Sequence, residues 1–299
     1  MFNKSILFLG ILCISFTVKA QTPKMYKDIV FSDVTVDKDL RYAPGNNKTH
    51  LFDLYQPQGD HSAARPLIIW MHGGGFKFGS KDAQGVKFWN TNFAQRGYVC
   101  AAINYTLGKK TTSFNYDHMQ KDCYNAVADA KMAVGYFRLY SKQYNIDPDK
   151  IILAGNSAGG MIALQAACST DAQLAKMAGI KPGNKDPGLL KVAAVINFWG
   201  GIFDLSWLKN AHVPIVNVLG SNDKVVPPTH KDGPLYGGIA IHKEAVQLHI
   251  PNELKIFGGY SHELQKHFDP IFPAGKSTQG RWAEACQFTA IFLYQQLFK

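Results

Sequence analysis

Beyond its first twenty residues the chain has no run of about 20 uninterrupted apolar residues, the length a membrane-crossing helix needs. Stable membrane insertion is therefore not expected. There is no internal repeat, no low-complexity tract and no linker-like stretch, so one domain is the economical reading. Cysteine is scarce, five in 299 residues, and its wide spacing fits no zinc pattern. Acidic residues are outnumbered, 22 Asp and Glu against 32 Lys and Arg, giving a formal charge of +10. The basic residues are scattered, with no run beyond pairs such as Lys109-Lys110. That pattern fits a solvated basic surface and not a nucleic-acid partner.

The first twenty residues have the form of an export leader. Lys4 supplies the charged start, Ile6 to Val18 the apolar run, and Val18-Lys19-Ala20 a small-x-small cleavage site. The expected division is a signal peptide at 1–20 and one catalytic domain at 21–299, in a secreted or periplasmic protein. Without Lys4 and Lys19 the formal charge is +8. Cys13 follows Leu12, where a lipid-modified cysteine normally follows a small residue, so a lipid anchor is not expected. Export permits disulfides among the remaining cysteines. Cys100 lies in an apolar strand and reads as a buried small hydrophobe. The sequence assigns no pairing to Cys123, Cys168 and Cys286.

What the chain has instead is a regular alternation of short apolar runs and helical periodicity. Ile29–Val36 and His50–Tyr55 alternate apolar and polar residues around the turn-rich 43–47, which predicts a hairpin. Buried strands are expected at 67–71, 98–103, 151–154, 192–198, 214–219 and 253–257. Helices are expected at 81–96, within 116–144, after Ser157, at 236–248 and at 280–298. A Pro/Gly-rich loop is expected at 181–188. Strands alternating with helices predict a mainly parallel sheet covered on both faces.

The chemistry is organised around Gly155-Asn156-Ser157-Ala158-Gly159-Gly160. No other serine of the chain has glycine at both i±2 positions. Two glycines at that spacing let a strand and a helix close around a sharply turned serine, leaving its hydroxyl exposed at a helix N-terminus. Ser157 is the candidate nucleophile. Six histidines follow it. His262 is selected as its base because strand 254–257 runs into the loop Gly258-Gly259-Tyr260-Ser261-His262. Catalytic groups gather at such strand ends in open α/β sheets. Asp223, after strand 214–219, is selected to orient that base, ahead of its rival Asp204. His72-Gly73-Gly74-Gly75 closes strand 67–71. Its glycines let backbone N–H groups reach a developing oxyanion, so Gly74 and Gly75 are expected to donate with Ala158. His262 and His267 are five residues apart, not the four that put two zinc ligands on one helical face. No metal is expected.

These residues resemble the α/β-hydrolases of the esterase/lipase kind. The likeness is to the HGGG-bearing hormone-sensitive-lipase-like enzymes and the bacterial acetyl and feruloyl esterases. It runs through Leu51–Pro57, the HGGG loop, Asn104-Tyr105-Thr106-Leu107, Tyr144–Pro148, the serine turn, Asp223 and His262. Asn104-Tyr105-Thr106 departs from the usual Asp-Tyr-Arg, and Asn156 from the usual acidic residue or histidine. The resemblance implies an α/β-hydrolase fold with a mostly parallel eight-stranded sheet and helices on both faces. It implies a serine esterase acting on small-acyl or aromatic esters, some carried on polysaccharide or polyester, with no cofactor. Many such proteins carry a helical cap. Only about fifteen residues separate the strands ending near Phe198 and starting near Val213, so no substantial cap is expected and the site should be open. Lipase activity is accordingly disfavoured. Phe76, Phe78, Tyr105, Phe198, Trp199, Trp207 and Tyr260 fall on or near its expected rim, and of these Phe76, Trp199, Trp207 and Tyr260 are the candidate substrate contacts. The rival readings are a serine peptidase of the prolyl-oligopeptidase type and an inactive binding protein. Nothing in the sequence sets an oligomeric state.

Overall fold

A computed structural model describes residues 24–45, 48–111, 115–181 and 188–299. The expected leader at 1–20, the tip of the first hairpin at 46–47 and most of the loop at 181–188 lie outside the described residues. The chain runs β1 (Val34–Arg41), β2 (Leu51–Pro57), β3 (Arg65–Met71), α1 (Gln84–Ala94), β4 (Val99–Ile103), α2 (Tyr116–Leu139) and β5 (Ile146–Asn156). It continues through α3 (Ala158–Cys168), α4 (Asp171–Met177), β6 (Ala194–Phe198), β7 (Gly201–Ile202) and β8 (Ile215–Gly220). It ends with β9 (Tyr236–Gly237), α5 (Gly238–Gln247), β10 (Asn252–Phe257) and α6 (Lys276–Leu297).

Eight strands form one sheet in the order β1-β2-β4-β3-β5-β6-β8-β10. β1 and β2, and β2 and β4, pair antiparallel; every later pairing is parallel. β7 and β9 make a separate antiparallel pair. The fold is that of the α/β-hydrolases. β3, β4, β6, β8 and the part of β5 from residue 151 on are buried throughout because helices cover both their faces, and their side chains divide between two cores with period two. Leu67, Ile69, Met71, Ile151 and Leu153 pack with α2 and α3. Ile68, Trp70, Ile152 and Ala154 pack with α1 and α6.

Two expectations are corrected. The first strand is Val34–Arg41 and not 29–36, because Val30 and Phe31 give their N–H groups to the Gln95 carbonyl at the end of α1. Helix α4, which was not expected, is short but closed by a full capping box between Thr170 and Gln173. Cys100, Cys123, Cys168 and Cys286 are all buried and free, so the described cysteines form no disulfide. No helix among the described residues is long and apolar enough to cross a membrane.

Candidate active site

β5 ends at Asn156 and α3 begins at Ala158, leaving Ser157 between them with φ 54° and ψ −119°. A non-glycine residue held there stores on the order of 1–3 kcal/mol. The surroundings hold it in place. Its N–H donates to the Phe198 carbonyl at 2.8 Å, tying the turn to β6. Two residues on, α3 crosses the end of β3 so closely that a Cβ on Gly159 would lie 2.0 Å from the Met71 carbonyl oxygen. Only glycine permits that approach, and the approach lifts the hydroxyl above the sheet.

Ser157 Oγ lies 2.9 Å from His262 Nε2, and His262 Nδ1 lies 2.7 Å from Asp223 Oδ2. The carboxylate can only accept, so Nδ1 carries the proton and Nε2 is left to accept from the serine hydroxyl. Asp223 Oδ1 accepts the N–H groups of Val225 at 2.8 Å and Val226 at 3.0 Å, which fixes the carboxylate plane. All three side chains are buried. The rival Asp204 instead caps the short helical turn Leu205–Asn210 through the Ser206 N–H.

His262 opens a one-turn 3-10 segment whose next two residues, Glu263 and Leu264, have φ of 55° and 58°. Helix α6 braces this turn. Trp282 Nε1 donates to the Glu263 carbonyl at 2.8 Å, and Arg281 Nε to that of Leu264 at 2.7 Å. The Phe268 ring meets the imidazole edge-to-face at 4.8 Å. Glu263 lines the same cleft as His262. Its burial raises its carboxyl above the ordinary glutamate value, against the lowering effect of His262.

The Gly73–Gly75 loop lies beside the serine. A Cβ on Gly73 would sit 3.3 Å from Ser157 Cβ, and Gly74 and Gly75 line the cleft with φ of 116° and 61°. Ala158 is the first residue of α3, where backbone N–H groups have no intrahelical acceptor. His72 anchors the loop. Its Nδ1 donates to the Gly73 carbonyl at 2.7 Å, and its ring stacks on Tyr105 at 4.2 Å. Burial lowers the His72 pKa to about 4, outweighing the bond to Gly73, so the ring is neutral at pH 7. Tyr105, one of the motif residues, returns its hydroxyl to the His72 carbonyl at 2.8 Å.

The cleft has a volume of about 800 Å³, with Ser157, His262 and Asn156 among its lining residues. Of the aromatics expected on or near its rim Phe78 lines it, but none of the four candidate substrate contacts does. Phe76 is wholly buried in the core beside α2 and α3, and Trp207 belongs to the same cluster. Trp199 is buried against Trp89 and Phe198, because a φ of 41° turns it back into the sheet's other face. The Tyr260 ring is covered by the Arg281 guanidinium, 4.0 Å from its centre. Beside Phe78, the apolar walls come from Trp89, Val225, Phe268, Ile271, Phe272 and Trp282. Ile271 and Phe272 stand in a strap after the histidine turn, and only Asp269-Pro270-Ile271-Phe272-Pro273 could have flagged it. Two prolines there bracket large apolar residues that neither a helix nor a strand ladder can bury. A second groove, about 660 Å³ and lined by Lys131, Arg138 and residues 188–192 among others, includes neither Ser157 nor His262. Among the described residues no group of three His, Cys, Asp or Glu could hold a metal ion.

The BD-FAE family profile matches residues 52–225, more than half of the chain. "Probable carboxylic ester hydrolase LipM" of Mycobacterium tuberculosis is 26% identical over 66% of this chain and 42% of its own length. "Esterase LipQ" of the same organism is 26% identical over 58% of this chain and 37% of its own. The chain thus spans about two fifths of the length of these curated relatives. Among solved structures, a Thermogutta terrifontis esterase with propionate bound aligns over 89% of this chain and 95% of its own, at TM-score 0.61 and 21% identity. A truncated carbohydrate esterase from gut microbiota aligns over 89% and 97%, at TM-score 0.63 and 17% identity. These likenesses are to the fold.

Proposed function

We propose, from the premise that this chain belongs to the BD-FAE family within the α/β-hydrolase esterases and lipases, that it is a serine carboxylic-ester hydrolase. The observation that carries this reading is the run of two hydrogen bonds from Ser157 Oγ through His262 to Asp223, at 2.9 and 2.7 Å. Ser157 Oγ attacks the ester carbonyl as His262 Nε2 takes its proton. The carbonyl oxygen, now an alkoxide, is held by the N–H groups of Gly74, Gly75 and Ala158, each worth roughly 3 kcal/mol in the transition state. As the tetrahedral carbon collapses, the C–O bond to the alcohol breaks and His262 returns the proton to the departing oxygen. Water then repeats the sequence on the acyl-serine and releases the acid. Asp223 holds the imidazole in the accepting tautomer and stabilises its charged form.

The substrate class in this reading is small-acyl or aromatic esters, some borne on polysaccharide or polyester, taken from solvent without a cap domain. Residues 1–20 are read as an export leader and 21–299 as the catalytic domain. An exported product whose N-terminal sequence begins at Gln21 would support that division, and one retaining Lys4 and Lys19 would refute it.

A chain-length series of p-nitrophenyl esters, run beside Ser157→Ala, tests the activity. An organophosphonate probe followed by peptide mass spectrometry tests the nucleophile. Turnover by the wild type, none by the variant, and a label on Ser157 are expected. No wild-type turnover, equal turnover by Ser157→Ala, or a label elsewhere would overturn the reading. Peptide amides in the same panel separate esterase from peptidase.

A further inference from the structure

We propose that the mouth of this cleft docks on the surface of a dispersed, uncharged aliphatic ester, so that Ser157 draws substrate from an ester–water interface. This rests on the esterase reading and extends it to the physical form of the substrate. Phe78, Val225, Ile271 and Phe272 are 47%, 51%, 82% and 71% exposed. All four also line the cleft that holds Ser157 and His262. They come from three separate segments: the loop after β3, the loop after β8 and the strap after the histidine turn. Exposed apolar side chains scattered singly are ordinary. Four gathered at one opening mark a contact surface.

The strap is fixed in place. Gln265 Oε1 accepts the Asp269 N–H at 3.0 Å at one end. At the other, Gln84 Oε1 accepts the Ala274 N–H at 2.7 Å, and Gln279 Nε2 donates to the Ala274 carbonyl at 2.8 Å. Pro270 and Pro273 restrict the backbone between these ties. Ile271 and Phe272 are therefore held outward by bonded structure and are not the tips of a frayed loop.

The chemistry of the mouth selects the occupant. Among the described residues no lysine or arginine lines the cleft itself, whereas Glu263 and Asp269 do, which disfavours anionic groups inside it; Lys110, 5.5 Å from the Phe78 ring centre, is a cation at the rim. The four rim side chains carry no hydrogen-bond donor or acceptor, so a hydrated polysaccharide would find partners for its hydroxyls only at other lining residues, such as Gln84, Asn156, Glu263 and Asp269, and not on this apolar rim. Branched Val225 and Ile271 beside two phenyl rings match an alkyl surface.

Tributyrin emulsion and monomeric p-nitrophenyl acetate, turned over by wild type and by Ile271→Ser/Phe272→Ser, test the proposal. Val225→Ser provides a second variant on a different segment. Equal melting temperatures check that the variants fold. The emulsion-to-soluble activity ratio should fall by about tenfold in the double variant and in the same direction in Val225→Ser. Separately, the Ser157→Ala chain should float with tributyrin droplets and lose that adsorption when the two strap changes are added. An unchanged ratio, equal adsorption by the strap variant, or rim-dependent adsorption to polyester film but not to droplets would overturn it. Loss of soluble turnover in the wild type with droplet adsorption intact would strike the esterase reading and uphold the docking one.

Discussion

Asp223→Asn tests what the carboxylate does, because the substitution preserves shape while removing the charge and changing which atoms can donate. Asp223 Oδ1 accepts two backbone N–H groups, from Val225 and Val226 at 2.8 and 3.0 Å. An asparagine must keep its carbonyl oxygen there, since an NH2 group would face two donors. Its Nδ2 is then turned toward His262 Nδ1, at the site of the present 2.7 Å bond. A donor in that position forces Nδ1 to accept, and the ring proton moves to Nε2. Nε2 lies 2.9 Å from Ser157 Oγ and can no longer take the serine proton. Removing the base in this way costs roughly 10⁴ in kcat, equivalent to about 5.5 kcal/mol of transition-state stabilisation. Folding stability should change by no more than about 1 kcal/mol, because the two backbone bonds survive. The assay is kcat on p-nitrophenyl acetate across pH 6–10, with a thermal melt alongside. If Asp223→Asn keeps more than about a tenth of wild-type kcat while melting normally, the tautomer argument is wrong.

Buried His72 is neutral with a pKa near 4, so the unfolded chain binds more protons between about pH 6.5 and 4, and native stability should fall as pH drops through that window. The full loss is about 3 kcal/mol, and His72→Asn, which can still donate to Gly73, should flatten the slope in urea melts at pH 6.5 and 4.5 even if it lowers stability throughout. Lys81 Nζ lies 2.7 Å from fully buried Asp53 and 2.8 Å from Asp39, so Lys81→Met strands a buried carboxylate and should cost roughly 3–5 kcal/mol by denaturant titration. Adding Asp53→Asn should recover much of that loss, and no recovery would show that the ion pair was not the cause. The thiols of Cys168 and Cys286 are pushed up to about 12 by burial, and burial raises those of Cys100 and Cys123 well above the ordinary thiol value, so none of these four should react with Ellman's reagent at pH 8 until guanidinium is added. Reductant should leave the melting temperature unchanged.

The parts of the fold that were legible in the sequence were those buried on both faces. β4 and β3 from Leu67 onward read as unbroken apolar runs, and β6 and β8 as runs interrupted by one asparagine each, Asn197 and Asn217, because helices cover them on each side. Ser157, Asp223 and His262 could be picked out because each follows such a run, or a shorter one, by a few residues. The structure brings those three side chains within hydrogen-bonding distance. β1 was misplaced because an edge strand that is mostly exposed carries little hydrophobic signal, and the alternation at 29–33 belongs to a segment tied to Gln95. The capping pair Thr170 and Gln173 was in the sequence, but a seven-residue helix is too short for periodicity to announce it. The aromatic contacts failed for another reason. Being near a strand end does not determine which way a side chain turns, and at Trp199 a positive φ sends the indole into the core.

Helix α6 links the chemistry of the site to its access. Trp282 lines the cleft and holds the Glu263 carbonyl, one residue from the base. Arg281 holds the next carbonyl and lies over the Tyr260 ring, two residues before the base. The strap that walls the cleft starts six residues after His262 and returns to the chain at Ala274, two residues before α6 begins. Phe268 at its start packs on the imidazole itself. The histidine turn and the wall are therefore two ends of one braced segment, bonded to the same helix. A change that loosens α6 cannot widen the cleft without also moving the base relative to Ser157. Residues 268–274 should thus tolerate substitution on their exposed side chains far better than at the half-buried ring of Phe268, whose contact fixes both geometries at once.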